Sequence, residues 1–133
     1  MSTETKKVNI LLVDDDKFLL NMYSLKFSKY GLEVNTACGG EEALRKLRDG
    51  YIPDIFVLDL IMPEMDGFTL LENIKKENIT PNSVIILLTN QSEPSDIERA
   101  KKLGVHGYIV KATTIPSEVV KEVMAIFEKA KKK

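Results

Sequence analysis

The stretch Asp54-Ile55-Phe56-Val57-Leu58-Asp59-Leu60-Ile61-Met62-Pro63-Glu64-Met65-Asp66-Gly67-Phe68 decides the fold. Its first run, Ile55 to Leu58, is apolar at every position, so both faces of the strand it forms must be covered, as in a parallel sheet between helices. Asp59 follows as a lone carboxylate. The carboxyl ends of strands in open α/β sheets are where ligands bind, so an acid there is either a loop cap or part of a site. Asp66 is placed to cap the next helix, Gly67 suits a tight turn, and Phe68, Leu71 and Ile74 give that helix its inner face.

Working outward, Val8 to Val13 forms a second apolar strand that runs into Asp14, Asp15 and Asp16. Leu19, Met22, Tyr23, Phe27 and Tyr30 then recur at helical spacing until Gly31. Glu33 to Ala37 is a strand of mixed polarity, suited to a sheet edge. A helix with Ala43, Leu44 and Leu47 follows and ends at Gly50. Beyond the central stretch, Ser83 to Leu88 is a fourth apolar strand, ending at Thr89-Asn90. The helix from about Pro94 to Leu103 has only Ile97, Ala100 and Leu103 as apolar anchors. His106 to Val110 is a fifth strand ending at Lys111, and the last helix carries Val119, Val120, Val123, Ile126 and Phe127. Five strands alternating with five helices predict an α/β fold of flavodoxin-like (βα)5 type. This is a doubly wound parallel sheet in the order 2-1-3-4-5, with its switch point between strands 1 and 3.

The chain has 133 residues, which suits one domain, with residues 1–7 and about 129–133 expected as flexible tails. Its 19 basic and 20 acidic residues leave a net charge of −1, which gives no general attraction to nucleic acid or anionic membranes. No apolar run approaches the ~20 residues of a membrane helix. The lone Cys38 cannot form an internal disulfide, in keeping with a cytoplasmic setting.

The predicted strand order brings Asp14, Asp15 and Asp59 into one crevice. At ~4 Å and an effective dielectric near 20, each carboxylate pair repels by about 4 kcal/mol. Such a cluster must bind protons, attract cations, or both. Few hard oxygen ligands with room for water favour Mg²⁺. Thr89 brings a hydroxyl to the same edge and Lys111 an ammonium. The set suits phosphoryl transfer to a carboxylate, with metal and lysine neutralising the charge that develops.

VNILLVDDD, DIFVLDLIMPEMDGF, VIILLTN and HGYIVK together resemble the receiver domains of two-component response regulators, over about residues 7–128. The resemblance implies that Asp59 accepts the phosphoryl group and that Asp14 and Asp15 form the acidic pocket. Mg²⁺ would be held by Asp15, Asp59 and the backbone carbonyl of Ile61. Thr89 and Lys111 would contact the phosphoryl group, and Tyr108 would switch with Thr89. Ile61 and Gln91 occupy positions that modulate dephosphorylation, and neither carries a charge to position water. The implied donor is a phosphohistidine on a sensor histidine kinase or a histidine phosphotransfer domain.

The protein would then be no enzyme beyond its own phosphorylation and dephosphorylation. It is expected to be a stand-alone regulator acting on a downstream protein, with homodimer formation open, through a surface of helix 4, strand 5 and helix 5. Phe18, Leu20 and Leu25, outside the main stripe of helix 1, are candidates for partner docking. His106 reads as a turn residue.

Two positions depart from the family pattern. Asn90 stands where a small residue is usual, and its side chain is placed to narrow access to Asp59. Ala112 stands where proline is usual, which leaves the geometry of the Lys111-Ala112 bond open. Two other readings of the sequence remain. Asp14-Asp15-Asp16 also spells the D-x-D of small aspartate-nucleophile phosphatases, and the two departures allow a receiver-like binding module that works without phosphorylation.

Overall fold

The computed structural model describes residues 7–90 and 93–131. Its elements are β1 (Asn9–Asp14), α1 (Lys17–Lys29), β2 (Glu33–Cys38), α2 (Gly40–Arg48), β3 (Ile55–Leu58), α3 (Gly67–Lys76), β4 (Val84–Thr89), α4 (Pro94–Lys102), β5 (Gly107–Val110), a 3₁₀ turn (Lys111–Thr113) and α5 (Pro116–Lys131). The five strands form one parallel sheet in the order β2-β1-β3-β4-β5, as the apolar pattern predicted.

The sheet separates two apolar cores. One joins α2 and α3 to residues such as Leu11, Phe56 and Leu87, and the other joins α1 and α5 to Ile10, Val57 and Ile86. Alternate residues of β1, β3 and β4 therefore serve opposite layers, which is why these strands are apolar throughout. The mixed edge strand β2 is braced by Lys46 of α2, which donates to Asn35 Oδ1 at 2.8 Å and to the Thr36 carbonyl at 2.5 Å.

Three expectations shift. The buried stripe of α1 is Leu20, Tyr23 and Phe27, while Leu19 and Met22 are only half-buried. Leu20 thus packs inward and leaves the docking candidates, whereas Phe18 and Leu25 stay exposed. Tyr30 caps the C-terminus of α1 instead of continuing the stripe, so it swings out to 57% exposure. In α5, Ile126 and Phe127 are half-buried, and the helix runs through Lys131, so its regular hydrogen bonding extends into the stretch expected as a tail.

α4 is as thinly anchored as its sequence suggested, with Ala100 its one buried residue. Polar contacts tie it to α3. Arg99 lies 4.2 Å over the Phe68 ring and pairs with Glu72 at 2.9 Å.

Candidate phosphoacceptor site

Every strand that contributes to the site ends at the same edge. β1 carries Asp14 on its last residue, β3 stops one residue before Asp59, β4 ends on Thr89, and β5 stops one residue before Lys111. The ladder holds them in step, with Val13 paired to Leu58, Leu58 to Leu87, and Thr89 to Val110. Asp59 N–H extends it by donating to the Val13 carbonyl at 3.1 Å.

Lys111 is the centre of the arrangement. Its Nζ lies 2.6 Å from Asp14 Oδ2 and 2.8 Å from Asp59 Oδ2, with only 11% of its side chain exposed. The other oxygens of the two acids are held by backbone. Asp14 Oδ1 accepts Asp16 N–H at 3.0 Å, and Asp59 Oδ1 accepts Ile61 N–H at 3.2 Å. Burial raises the Asp14 pKa above the ordinary carboxylate value, against the pull of Lys111 and Asp16 N–H. For Lys111, burial alone would lower the pKa, but its bonds to Asp14 and Asp59 outweigh that and leave it raised. Lys111 thus stays charged.

Asp15 completes the cluster from an exposed position. Asp14, Asp15 and Asp59 each offer an oxygen within 4.8 Å of the others. Asp16 does not join them. Its Oδ1 caps α1, accepting from Phe18 N–H at 2.9 Å and Leu19 N–H at 3.2 Å. The run of three acids therefore divides into two site residues and one cap. That division counts against the phosphatase reading, because the second Asp of the D-x-D is committed to its own helix.

The loop from Asp59 to α3 is set by close backbone packing. Gly67 N–H donates to the Leu60 carbonyl at 2.8 Å, and Asp66 caps α3 through Thr69 N–H. A Cβ on Gly67 would strike the Asp59 carbonyl and lie 2.8 Å from Leu60 Cα. Gly67 is needed for this approach, not for the turn conformation expected from the sequence, since its φ is not positive. Ile61 projects from the loop, 59% exposed.

Thr89 is fully buried, and Tyr108 is half-buried one residue short of Ile109 on edge strand β5. Burial raises the Tyr108 pKa, with the charges of Asp96 and Asp59 adding to it. Gln91 lies outside the described residues. Among those described, every peptide bond is trans, so Lys111-Ala112 is trans. Ala112 N–H donates to Asn90 Oδ1 at 2.7 Å. Sequence reasoning flagged Asn90 and Ala112 separately and missed that they meet. The available signal was that both depart from the pattern at strand ends that lie side by side.

The model of the response regulator receiver domain family matches residues 10–123. The chain belongs to this family. Among solved structures, it is similar to the chemotaxis protein CheY4 of Vibrio cholerae, at 28% identity and TM-score 0.82, covering 91% of this chain and 99% of that one. A CheY-like receiver domain protein from Methanospirillum hungatei shares the fold, with TM-score 0.85 at 24% identity, over 96% of this chain and 98% of its own. Among curated proteins, the "Probable transcriptional regulator ycf27" of Pyropia yezoensis is 34% identical over 97% of this chain and 51% of its own length. That of Guillardia theta is 33% identical over 97% and 48%. The receiver thus spans about half the length of these curated relatives. Among the described residues, no helix is long and apolar enough to cross a membrane.

Proposed function

We propose that this receiver takes a phosphoryl group from a histidine-bearing kinase or phosphotransfer domain onto Asp59, in a reaction that needs Mg²⁺. The carrying observation is the double contact of Lys111 with Asp14 and Asp59, which sets an ammonium beside a buried carboxylate. As an Asp59 oxygen bonds to phosphorus, the phosphorus–nitrogen bond to the donor breaks and the histidine leaves as imidazole. Lys111 stands where charge accumulates, and Thr89 brings its hydroxyl from the end of β4.

The donor set fits Mg²⁺: carboxylates of Asp15 and Asp59 with the Ile61 carbonyl would hold it, all hard oxygens, and Asp15 is open to water. When bound, the metal supplies positive charge that Lys111 alone does not provide for three acids. Ile61 offers no charged group to orient a water molecule toward the acyl phosphate, which favours a long-lived phosphoryl state.

Output would pass through Thr89 and Tyr108 to the face of α4, β5 and α5, where α4, with one buried residue against three in α5, yields more easily than its neighbouring helix. We assign the chain as a cytoplasmic signalling module that acts on a downstream protein. The curated relatives of about twice its length, named as transcriptional regulators, favour a second reading in which the receiver governs an attached output segment. Immunoblotting of the native polypeptide separates the two by its size.

Intact-mass measurement after incubation with acetyl phosphate and Mg²⁺ tests the chemistry. The wild type should gain one phosphoryl group and Asp59→Asn none. An adduct that persists in Asp59→Asn, or no adduct on either protein, overturns the assignment.

A further inference from the structure

We infer that Asn90 is a positioning residue for Lys111, acting through the N–H of Ala112. The inference rests on the phosphoacceptor reading above and extends it to a residue outside the acidic pocket. β4 and β5 end their pairing at Thr89 and Val110. The next residues are Asn90 on one strand and Lys111 on the other, and beyond this point the backbone ladder stops. The Asn90 side chain continues the connection, with its Oδ1 accepting Ala112 N–H at 2.7 Å. The bond therefore spans from the residue after Thr89 to the residue after Lys111.

The local backbone explains why the bond matters. Lys111 opens a single 3₁₀ turn, in which Thr114 N–H donates to the Lys111 carbonyl at 3.3 Å and Thr113 Oγ1 lies 3.5 Å from the Val110 carbonyl. Both are long, and both join residues only three apart in the chain. The Asn90 contact is shorter, and it fastens the backbone of the turn to the end of a neighbouring strand, while the Lys111 side chain reaches Asp14 and Asp59. Lys111 has a long stem with free rotors, so holding its Nζ between Asp14 and Asp59 gives up rotamer freedom, and less is given up when the backbone that carries it is fixed. The contact also requires an amide hydrogen on residue 112, which proline lacks. Asn90 and Ala112 thus form one device, and the trans Lys111-Ala112 bond belongs to it.

This role opposes the reading in which the Asn90 side chain narrows access to Asp59, and the two differ in sign. Phosphorylation by acetyl phosphate is to be followed at saturating Mg²⁺ for wild type, Asn90→Ala, Asn90→Leu and Ala112→Pro, with Mg²⁺ affinity from calorimetric titration. Leu keeps the bulk of Asn and removes the acceptor. If Asn90 positions Lys111, both Asn90 variants phosphorylate roughly three- to ten-fold more slowly, the range expected for one hydrogen bond, while Mg²⁺ affinity is unchanged. Asn90→Leu should then have no further effect in the Ala112→Pro background.

A faster Asn90→Ala with Asn90→Leu near wild type would establish the gate and overturn the inference. Wild-type rates in both variants, or additive effects with Ala112→Pro, would overturn it as well. Failure of the phosphoacceptor reading is distinct, since the wild type would then form no adduct.

Discussion

Replacing Lys111 with methionine removes the cation from between two buried acids while nearly keeping side-chain length. At 2.6 and 2.8 Å and an effective dielectric near 20, each contact is worth about 6 kcal/mol before dehydration is counted. Dehydrating the three groups takes most of this back, and loss of one member of a buried ion pair typically costs roughly 3–5 kcal/mol. The lower end applies here, because the variant can relieve itself by protonating Asp14, whose pKa burial already raises. For 133 residues the unfolding entropy is about 0.28 kcal/mol/K, so a loss of about 3 kcal/mol lowers the Tm by about 10 °C. Calorimetric melts in EDTA measure that loss. In saturating Mg²⁺ the gap to wild type should narrow, since a bound cation takes over part of the neutralisation and no ammonium competes for Asp59. A Lys111→Met protein that melts with the wild type in EDTA, or whose deficit Mg²⁺ leaves untouched, would refute the electrostatic account of the pocket.

Asp15→Asn should do the opposite in EDTA. Its carboxylate lies within 4.8 Å of two others but is exposed, so removing it stabilises by about 1 kcal/mol after screening, or about 3–4 °C in melts, and it weakens Mg²⁺ binding in titrations. Gly67→Ala should lose about 1–3 kcal/mol in denaturant melts, because its Cβ meets the backbone of Asp59 and Leu60, and its phosphorylation should slow as Asp59 shifts. His106 accepts Ile85 N–H through Nδ1 at 3.0 Å, and burial, with Lys75 and Lys131 nearby, lowers its pKa. The folded state therefore binds the proton less readily than the unfolded chain. This stability is complete above the unfolded pKa of about 6.5 and is lost as pH falls through the lower folded value. Melts of wild type and His106→Asn from neutral pH downward should show a smaller acid loss in the variant.

The fold was legible because strands alternate with helices, and because β1, β3 and β4 are apolar on both faces while β2 is mixed, a contrast that the flavodoxin-like order 2-1-3-4-5 satisfies. Asp14, Asp15, Asp59, Thr89 and Lys111 were placed at one sheet edge by the same argument, since each stands at a strand end. Contacts that depend on side-chain direction were harder to read. Leu20 and Tyr30 were misassigned because one residue of helix phase, about 100°, decides which side chain faces inward, and the C-terminal turn of α1 turns Tyr30 away. Asp16 could be separated from Asp14 and Asp15 only by knowing where α1 starts. Gly67 was expected for its freedom of φ and proved necessary for what lies against its Cα. The Asn90–Ala112 bond joins residues 22 positions apart and leaves no periodic trace.

Lys46 has a consequence at the margin of the sheet. β2 is an outer strand, and a free strand edge is a template on which another chain can pair. By spending its ammonium on the Thr36 carbonyl and Asn35, Lys46 sets a charged, hydrated side chain from α2 against that border. An incoming strand would have to displace it and desolvate the charge. The same lysine that braces the fold thereby discourages edge-to-edge aggregation, so its loss should show first in solubility on concentration and only second in melting temperature.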